Sequence, residues 1–227
     1  MRAMILAAGR GERMRPLTDT RPKPLLEVGG KPLIQYHIEA LAAAGVRHVV
    51  INLAWQGELI RQALGSGERF DLQICYSDEP EGALETGGGI LAALPLLGNE
   101  PFLVISGDIW SDFPLGSCLG RLAAADVAHF VLVPNPEFHE QGDFGLEGGR
   151  VLDRAPRYTY ANIALLCPEF FAGRPAGRFP LAPLMFEWIR QGRVSGELYQ
   201  GRWRNLGTPA QLTQLDVELR ALRPGGV

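Results

Sequence analysis

Short apolar runs recur through the first part of the chain and are separated by stretches of helical or turn-forming composition. A continuous apolar run, rather than an alternating one, is typical of a strand that is covered on both faces. The runs that predict such strands are residues 4–6, 48–52, 72–76, 102–106 and 127–133. Strands that alternate with helices predict a doubly wound α/β sheet with short connections.

Apolar residues at helical spacing predict the intervening helices. Pro32 suits the first position of a helix that continues through Ala44 and stops at Gly45. A short helix is predicted around residues 58–64, and residues 86–97 are predicted as a glycine-rich turn that enters a helix. These helices are expected to flank the sheet on both faces.

The pattern changes after about residue 135. Residues 144–153 predict a hairpin that turns at Gly148-Gly149, and residues 160–166 predict a further strand. Residues 197–206 resemble a second hairpin. Hairpins in place of strand–helix alternation indicate that the later part of the chain is built differently from the first part.

Two further helices are predicted near the end of the chain. Residues 181–191 are amphipathic, and Thr208-Pro209-Ala210-Gln211 forms a capping box with proline at the first helical position. No linker rich in Pro, Gly or Ser separates the halves, so the chain is predicted to form one domain over residues 1–227. It would comprise a first half of about residues 1–135 and a smaller late lobe with the C-terminal helix over about 136–227.

Composition excludes several classes of protein. Hydrophobic content of 46%, charged content of 21% and a net charge of −3 are typical of a soluble globular protein and give no reason to expect nucleic acid. No signal peptide or membrane-length apolar run is visible. Cys75, Cys118 and Cys167 lack Cys-x-x-Cys spacing, which is typical of reduced thiols. We therefore expect a cytoplasmic protein without a membrane or nucleic-acid partner; no oligomeric state is predicted.

The first loop, LAAGRGERMRPLTDTRPKP over residues 6–24, combines glycines with clustered positive charge. Gly9 and Gly11 lack a Cβ, so backbone N–H groups can approach a phosphate chain closely. Arg13 offers a fork-shaped phosphate donor, and Lys23 stands between two prolines that hold its backbone extended. The loop therefore predicts a phosphate-binding site.

Two common phosphate-binding motifs do not fit this loop. A dinucleotide fingerprint requires a third glycine where Met14 stands, and a Walker A loop is absent. A nicotinamide-dependent oxidoreductase is therefore disfavoured.

An acidic residue follows the predicted strand 102–106 in the segment SGDIWSD. Asp108 would lie at the carboxyl end of that strand, where open α/β sheets bind ligands. A carboxylate that faces phosphates suits Mg²⁺, which takes one or two protein oxygens together with phosphate oxygens. Asp112, four residues later, is interpreted as a turn-capping residue.

These motifs resemble the signature of the sugar-1-phosphate nucleotidylyltransferase family, L-A-[AG]-G-x-G-[ST]-R-[LM]-x-P-L-T followed by P-K-P. The resemblance continues in the family's order through KPLIQYHIEALAAAGVRHVVIN, ETGGGI, SGD and RWRNLGT. Glu12 stands where many members carry Ser or Thr, at a position that offers mainly its backbone. Within the family, the segment LETGGGI and the short chain are most similar to the bacterial N-acetylmuramate-1-phosphate uridylyltransferases.

The resemblance implies a Rossmann-like, doubly wound mixed sheet of the nucleotide-diphospho-sugar transferase type. Nucleotide would bind in the half up to about residue 135, and sugar in the late lobe. The implied nucleotide contacts are Ala8, Gly9, Gly11, Glu12, Arg13, Lys23, Thr86 and Gly87. For the glycines after Thr86, an alternative is that they only let helix and sheet pack closely.

The resemblance also implies which residues carry the chemistry. Arg13, Lys23 and Asp108 would be catalytic, with Asp108 as a ligand of Mg²⁺. The family's second metal position lies in a W-x-D-x-G-T motif, and here Asn205 replaces the acid. An amide oxygen is an acceptable Mg²⁺ ligand, so Asn205 is retained as the second ligand without the charge of a carboxylate.

For the sugar, the resemblance points to the late hairpin. The implied contacts are Gly142, Asp143, Asp153 and Asn162, the last at a position where close relatives have glycine. A plain hairpin role for each of them is the alternative. A lactyl carboxylate on the sugar would require a cation, for which the late lobe offers Arg154, Arg157 and Arg202.

The implied reaction is attack by a sugar-1-phosphate oxygen on the α-phosphorus of a nucleoside triphosphate, with release of pyrophosphate. The expected substrates are UTP and N-acetylmuramic acid 1-phosphate, in cell-wall sugar recycling. One alternative is a related enzyme for dTTP, GTP or CTP with glucose or mannose 1-phosphate. Another is a non-catalytic nucleotide-sugar-binding regulator, which would bind UTP but release no pyrophosphate.

Overall fold

A computed structural model describes residues 1–222; residues 223–227, which the sequence analysis assigns to the late lobe, lie outside the described part. The helices are α1 (Leu33–Ala43), α2 (Gly57–Leu64), α3 (Glu85–Leu97), α4 (Ala182–Arg190) and α5 (Pro209–Ala221). The strands of the first half are β1 (Arg2–Leu6), β2 (Glu27–Val28), β3 (Lys31–Pro32), β4 (His48–Leu53), β5 (Gln73–Asp78), β6 (Phe102–Ser106), β7 (Ile109–Ser111) and β8 (Ala128–Val133). Those of the second half are β9 (Phe144–Glu147), β10 (Arg150–Leu152), β11 (Arg157–Leu166), β12 (Val194–Leu198) and β13 (Trp203–Asn205).

The order of strands in the main sheet creates a switch point near its centre. From one edge the order is β5-β4-β1-β6-β11-β8-β12-β10-β9. Strands β5, β4, β1 and β6 are parallel, whereas β11 lies antiparallel between β6 and β8. β4, the next strand of this sheet along the chain, pairs with one side of β1, and β6, which comes later in the chain, pairs with the other side. Ligands of open α/β sheets bind at the carboxyl ends of the strands that flank such a reversal.

Two hydrophobic cores cover the two faces of this sheet. Ala3 and Ile5 of β1 pack in the core that includes residues of α1 and α2. Met4, between them, packs in the core that includes residues of α3 and α4. Successive side chains of a strand point to opposite faces, so one continuous apolar run supplies both cores. The predicted Rossmann-like, doubly wound mixed sheet flanked by helices is confirmed. Within residues 1–222, every helix falls short of the length and apolarity needed to cross a membrane.

Several local predictions are confirmed by the ends of the elements. α1 begins one residue after the predicted start, since Pro32 ends β3 and caps the helix, and it stops before Gly45 as predicted, where φ is 82°. The hairpin of β9 and β10 turns at Gly148 and Gly149, whose φ values are 56° and 76°. Positive φ at both central residues suits a tight hairpin turn and costs glycine little.

The predicted hairpin over residues 197–206 is wrong. Strand β12 pairs with β8 and β10, whereas β13 pairs with β7 in a separate two-stranded sheet. Trp203 explains the separation, because its indole is buried and its Nε1 donates a hydrogen bond to Ala161 O at 2.9 Å. The indole holds β13 away from β12 and beside the strand that follows Asp108.

The capping box at the start of α5 is confirmed. Thr208 Oγ1 accepts a hydrogen bond from Gln211 N at 3.4 Å, and Gln211 Oε1 accepts from Thr208 N at 3.0 Å. Gln211 Oε1 also accepts from Gly207 N at 2.8 Å. The cap therefore fixes the backbone that connects β13 to α5.

Candidate active site

A cavity of about 340 Å³ opens at the switch point between β1 and β6. The two strand ends are tied together, since Gly107 N donates a hydrogen bond to Leu6 O at 2.8 Å. The predicted site residues that line this cavity are Ala8, Gly9, Gly11, Glu12, Arg13, Lys23, Thr86 and Asp108. The structure thus brings the first loop and Asp108 into one cavity, as the sequence predicts.

The first loop is shaped by Gly11. Its φ is 69°, and it caps the short 3₁₀ turn Glu12–Met14. Thr18 Oγ1 donates a hydrogen bond to Gly11 O at 2.9 Å, and a Cβ at Gly11 would lie 3.0 Å from Thr18 Cγ2. A side chain here would meet both backbone strain and a tight contact. No heavy atom lies within 4 Å of a Cβ at Gly9, so Gly9 leaves its backbone open to the cavity.

The arginines of the loop divide into paired and unpaired groups. Arg10 lies 3.6 Å from the ring centre of Trp55 and donates to Thr18 O, and Arg15 pairs with Asp19 at 2.9 Å. Arg13 has no hydrogen bond or ion pair with any residue of the described chain. It is exposed in the cavity, so its guanidinium is free to bind an anion.

Lys23 and Asp108 form an ion pair inside the cavity. Lys23 Nζ lies 3.1 Å from Asp108 Oδ2, and the lysine is 8% exposed. Burial lowers the pKa of Lys23 below its ordinary value, and the neighbouring carboxylate partly restores it. The predicted extended backbone at Lys23 is wrong, because Lys23 is the first residue of the 3₁₀ turn Lys23–Leu25, and only Pro22 before it is extended. The prolines on both sides still restrict the backbone of this segment.

Asn205 lies next to Asp108 across the small sheet of β7 and β13. It pairs in register with Ile109, and Leu206 N donates a hydrogen bond to Asp108 O at 2.9 Å. Asn205 Oδ1 is buried and has no hydrogen-bond partner within residues 1–222. Carboxylate and amide oxygens are ligands that Mg²⁺ accepts, and here they stand on neighbouring backbone segments, Asp108 facing the first cavity. The residues present therefore fit the predicted metal site.

The glycines after Thr86 lie inside α3, which corrects the predicted glycine-rich turn. A Cβ at Gly87 would come 2.5 Å from the ring of Phe179, and Gly88 N donates to Phe179 O at 3.1 Å. The close approach is to the loop before α4 and not to the sheet, so Gly87 serves a packing contact other than the helix–sheet one in the alternative; it does not line the first cavity. Its predicted nucleotide contact lacks geometric support.

A second cavity of about 490 Å³ adjoins the first, and Thr86 lines both. Asp143, Asn162 and Asn205 also line it. Asn162 has a φ of 59° and lies where the pairing of β11 with β8 shifts register. Asn tolerates this left-handed conformation, which glycine adopts more easily, so the backbone explains why either residue suits this position.

Asp143 is held by two hydrogen bonds at this bulge. Its Oδ2 accepts from Tyr160 N at 2.8 Å, and its Oδ1 lies 3.0 Å from His139 Nε2. The carboxylate therefore supports the wall of the second cavity in addition to facing it.

Two predicted sugar contacts lie outside both cavities. Gly142 has a φ of 61°, and a Cβ there would come 2.7 Å from Asn135 Oδ1, so this glycine serves a tight turn. Asp153 is paired with Arg157 at 3.0 Å. Neither residue lines the second cavity, and their role as sugar contacts remains a prediction without geometric support.

The arginines predicted for a lactyl carboxylate are engaged elsewhere. Arg157 pairs with Asp153, Arg202 pairs with Asp112 at 2.8 Å, and Arg154 pairs with Glu147. The second cavity is lined by none of the three, so that hypothesis is not supported.

Comparison with known proteins gives the family. The nucleotidyl transferase family model matches residues 2–147. The chain belongs to this family. Two N-acetylmuramate α-1-phosphate uridylyltransferases are among its relatives. That of Neisseria meningitidis is 46% identical over 94% of this chain and 96% of its own, and that of Caulobacter vibrioides is 39% identical over 91% and 92%.

A solved structure shares the fold. A Bacillus anthracis protein, provisionally assigned as a glucose-1-phosphate thymidylyltransferase and crystallised with sucrose, superposes with a TM-score of 0.85 at 19% identity. The match covers 99% of this chain and 98% of that one. For this nucleotidyl transferase, the family implies a nucleoside triphosphate and a sugar 1-phosphate as substrates, and a divalent metal ion is general in the family.

Sequence reasoning did not single out several residues that line the first cavity of this nucleotidyl transferase, and two of them bear on the site. Glu79 lines the first cavity and is 3% exposed. Gly207 also lines it, and a Cβ there would lie 3.3 Å from Arg13 Cζ. Glu79 comes directly after β5, so the rule that singled out Asp108 at the carboxyl end of β6 applies to it as well.

Proposed function

We propose that this nucleotidyl transferase moves a uridylyl group from UTP to N-acetylmuramate 1-phosphate, yielding the nucleotide sugar and pyrophosphate. The observation that carries the proposal is the ion pair of Lys23 with Asp108 in the cavity at the switch point. Asn205, whose backbone pairs beside Asp108, adds a buried amide oxygen that has no hydrogen-bond partner among the described residues. Similarity to two N-acetylmuramate α-1-phosphate uridylyltransferases over most of the chain supports this choice of substrates.

The two cavities suggest how the substrates divide. Apart from Gly207, the first cavity is lined by residues between Leu6 and Asp108. Apart from Thr86, the second is lined by residues between Phe138 and Asn205. This division supports nucleotide binding in the half of about residues 1–135 and sugar binding in the late lobe over about 136–227.

In the proposed reaction, a phosphate oxygen of the sugar 1-phosphate attacks the α-phosphorus of UTP. A new P–O bond forms, and the bond between the α-phosphorus and the pyrophosphate oxygen breaks. The attacking oxygen is already anionic, so no proton has to be removed from it. Catalysis then depends on positioning and on stabilising the charge of two anions brought together.

The residues of the first cavity supply these functions. The open backbone at Gly9, in the loop that Gly11 shapes, holds the triphosphate. The guanidinium of Arg13, which is unpaired among the described residues, binds the leaving pyrophosphate. Lys23 places its ammonium on the attacking or the α-phosphate, from a backbone stiffened by prolines.

Asp108 and Asn205 would hold the metal, which we propose is Mg²⁺, since both offer oxygen ligands. When bound, the ion neutralises phosphate charge that would otherwise oppose the approach of the two substrates. Asn205 lines the second cavity and Asp108 the first, so the pair lies between the proposed sugar and nucleotide sites.

The proposed setting is the recycling of cell-wall sugars in the cytoplasm, and the free state of the three cysteines supports that location. The oligomeric state is left open.

The test of this function is a grid of nucleoside triphosphates against sugar 1-phosphates with Mg²⁺, read by pyrophosphate release. UTP with N-acetylmuramate 1-phosphate is expected to give the highest kcat/KM. A maximum for dTTP or GTP with glucose or mannose 1-phosphate would replace the proposed substrates with that pair. UTP binding without pyrophosphate release on any sugar phosphate would instead identify a binding protein.

A further inference from the structure

A continuous line of three hydrogen bonds, two of them buried and the third partly buried, runs along one wall of the first cavity. Ala7 N donates to Asn52 Oδ1 at 2.8 Å, Asn52 Nδ2 donates to Glu79 Oε1 at 2.7 Å, and Leu84 N donates to Glu79 Oε2 at 2.7 Å. Asn52 and Glu79 are each 3% exposed. We call this line the Asn52–Glu79 bridge.

The bridge joins the two walls of the proposed nucleotide site. Ala7 lies at the start of the phosphate-binding loop, directly after β1, and Leu84 directly precedes the first residue of α3. Asn52 ends up beside Leu6 in the register of β4 and β1. The three bonds therefore set the separation between the loop that holds phosphates and the helix that presents Thr86.

The chemistry of the bridge is fixed by its two ends. Both ends are backbone N–H groups, which can only donate. Asn52 must then turn its oxygen to Ala7 and its amide nitrogen to Glu79, so Glu79 has to accept on both sides. A carboxylate that accepts twice, as at Glu79, and an amide that accepts once and donates once, as at Asn52, pair every donor of the bridge with an acceptor. Two amides leave two donors facing each other, and two carboxylates leave two acceptors facing each other.

The absence of a side chain at Gly89 leaves room for the central hydrogen bond of the bridge. A Cβ at Gly89 would lie 2.7 Å from Glu79 Oε1 and 2.9 Å from Asn52 Nδ2. Every larger residue at this position of α3 would have to displace the central hydrogen bond. The third glycine of TGGG is therefore explained by the bridge and not by a turn.

We propose that Asn52 and Glu79 are positioning residues for nucleotide binding, which hold the phosphate loop and the start of α3 at a fixed separation. The inference rests on the proposed function for the identity of the nucleotide. It adds that the pattern of donors and acceptors in the bridge, and not the carboxylate at position 79 itself, is what the site needs.

This claim has a direct test, because the amide and the carboxylate of the bridge can be exchanged between positions 52 and 79. In the double variant Asn52→Asp with Glu79→Gln, position 52 accepts twice and position 79 donates to it while accepting from Leu84 N. The number of charges is unchanged and all three hydrogen bonds can form. Asn52→Asp alone places two acceptors together, and Glu79→Gln alone places two donors together.

The measurements are KM for UTP, KM for the sugar 1-phosphate, calorimetric affinity for Mg·UTP, and hydrogen exchange of the Ala7 and Leu84 amides by NMR. Each single variant is expected to raise KM for UTP about 10- to 100-fold, as leaving one buried polar group unsatisfied predicts. The sugar KM should change less than about twofold, and exchange of the two amides should accelerate. The double variant should return KM for UTP to within about threefold of the parent.

Further variants separate the bridge from general destabilisation. Gly89→Ala is expected to reproduce the single variants, whereas Gly116→Ala adds a Cβ with only an ordinary contact at 3.9 Å and should leave KM unchanged. Glu197→Gln, a matched change at a carboxylate bound to His129 outside both cavities, should also leave KM unchanged.

The bridge proposal is overturned if both single variants keep the parent KM and amide exchange. It is also overturned if the double variant stays as impaired as the singles, because the ligand would then need the Glu79 carboxylate itself. Absence of transfer activity in the parent would overturn the proposed function alone, since amide exchange and Mg·UTP affinity still report on the bridge.

Discussion

Lys23 Nζ lies 3.1 Å from Asp108 Oδ2, within the cavity at the end of β1 and β6. The lysine side chain is 10% exposed and the aspartate side chain 41% exposed. The ammonium therefore depends on this carboxylate as its nearby counter-charge, while the carboxylate still faces the cavity. The pair places one positive and one negative group at the point where a metal-bound triphosphate would have to be held.

Asp108→Asn is expected to reduce kcat by at least about a thousandfold while the protein stays folded, because metal binding supplies several kcal/mol to such reactions. The amide can still accept a hydrogen bond from Lys23, so the buried lysine keeps a partner. Steady-state pyrophosphate release and far-UV circular dichroism measure the two effects.

Asp112→Asn is the matched control for Asp108. Asp112 accepts hydrogen bonds from Arg202 N and Nε, each at 2.8 Å, and lines neither cavity. Its loss should lower stability and leave kcat within about twofold of the parent. Equal losses of kcat in the two variants would contradict the role given to Asp108.

Gly11→Ala is expected to weaken Mg·UTP binding by more than about tenfold. Gly11 and Gly45 both have positive φ, 69° and 82°, so alanine costs about 1–2 kcal/mol of backbone strain at either position. A Cβ at Gly11 also meets Thr18 Cγ2 at 3.0 Å, whereas a Cβ at Gly45 meets nothing within 4 Å. Gly45→Ala should reduce the free energy of unfolding alone. Equal affinity for Mg·UTP in both variants would show that the Gly11 loop does not hold the nucleotide.

Asn205→Asp is expected to lower the Mg²⁺ concentration that gives half-maximal activity by several-fold. The orphaned Oδ1 of Asn205 would be replaced by a charged carboxylate beside Asp108, and hard cations favour anionic oxygen. Titration of activity with MgCl₂ measures the shift. A half-saturating concentration that is unchanged or higher would remove Asn205 from the metal site.

His37 predicts a pH dependence of stability. It is buried behind the site, and burial lowers its pKa from 6.5 to about 4 despite a hydrogen bond to the Ile109 backbone. Below pH 6.5 the unfolded chain therefore binds a proton that the folded chain does not, so stability falls as the pH drops from 6.5 to about 4. This contribution amounts to about 3 kcal/mol over the whole interval.

Urea denaturation of the parent and of His37→Gln at pH 7 and pH 5 tests that sign. The variant should lose less stability between the two pH values than the parent does. His48→Gln, at an exposed position, should keep the parent's pH dependence. A steeper loss in His37→Gln would contradict a neutral, buried His37.

The strands were predictable because both faces of the parallel strands are covered, whereas the strand order that creates the switch point was not. β4 and β6 are buried along most of their length, so their sequences are continuous apolar runs that no surface element imitates. The position of Asp108 followed from the end of such a run. Glu79 directly follows β5, so it could have been found by the same search for acidic residues at the carboxyl ends of parallel strands.

The errors arose where pairing depends on one distant contact. Local composition over residues 197–206 favours a hairpin, but the bond from Trp203 to Ala161 O and the pairing of β13 with β7 decide the path. Those partners lie about 40 and 90 residues away along the chain, at separations that no local pattern encodes. The close approach of Gly87 to Phe179 is likewise a tertiary contact between residues that are far apart in the sequence.

The most direct measurement is a competition between two acceptors. The enzyme is supplied with Mg·UTP and equal amounts of N-acetylmuramate 1-phosphate and N-acetylglucosamine 1-phosphate, and the nucleotide sugars are identified by mass spectrometry. The account predicts that UDP-N-acetylmuramate is the main product and that Asp108→Asn forms almost none. A mixture dominated by UDP-N-acetylglucosamine, or undiminished product from Asp108→Asn, would contradict it.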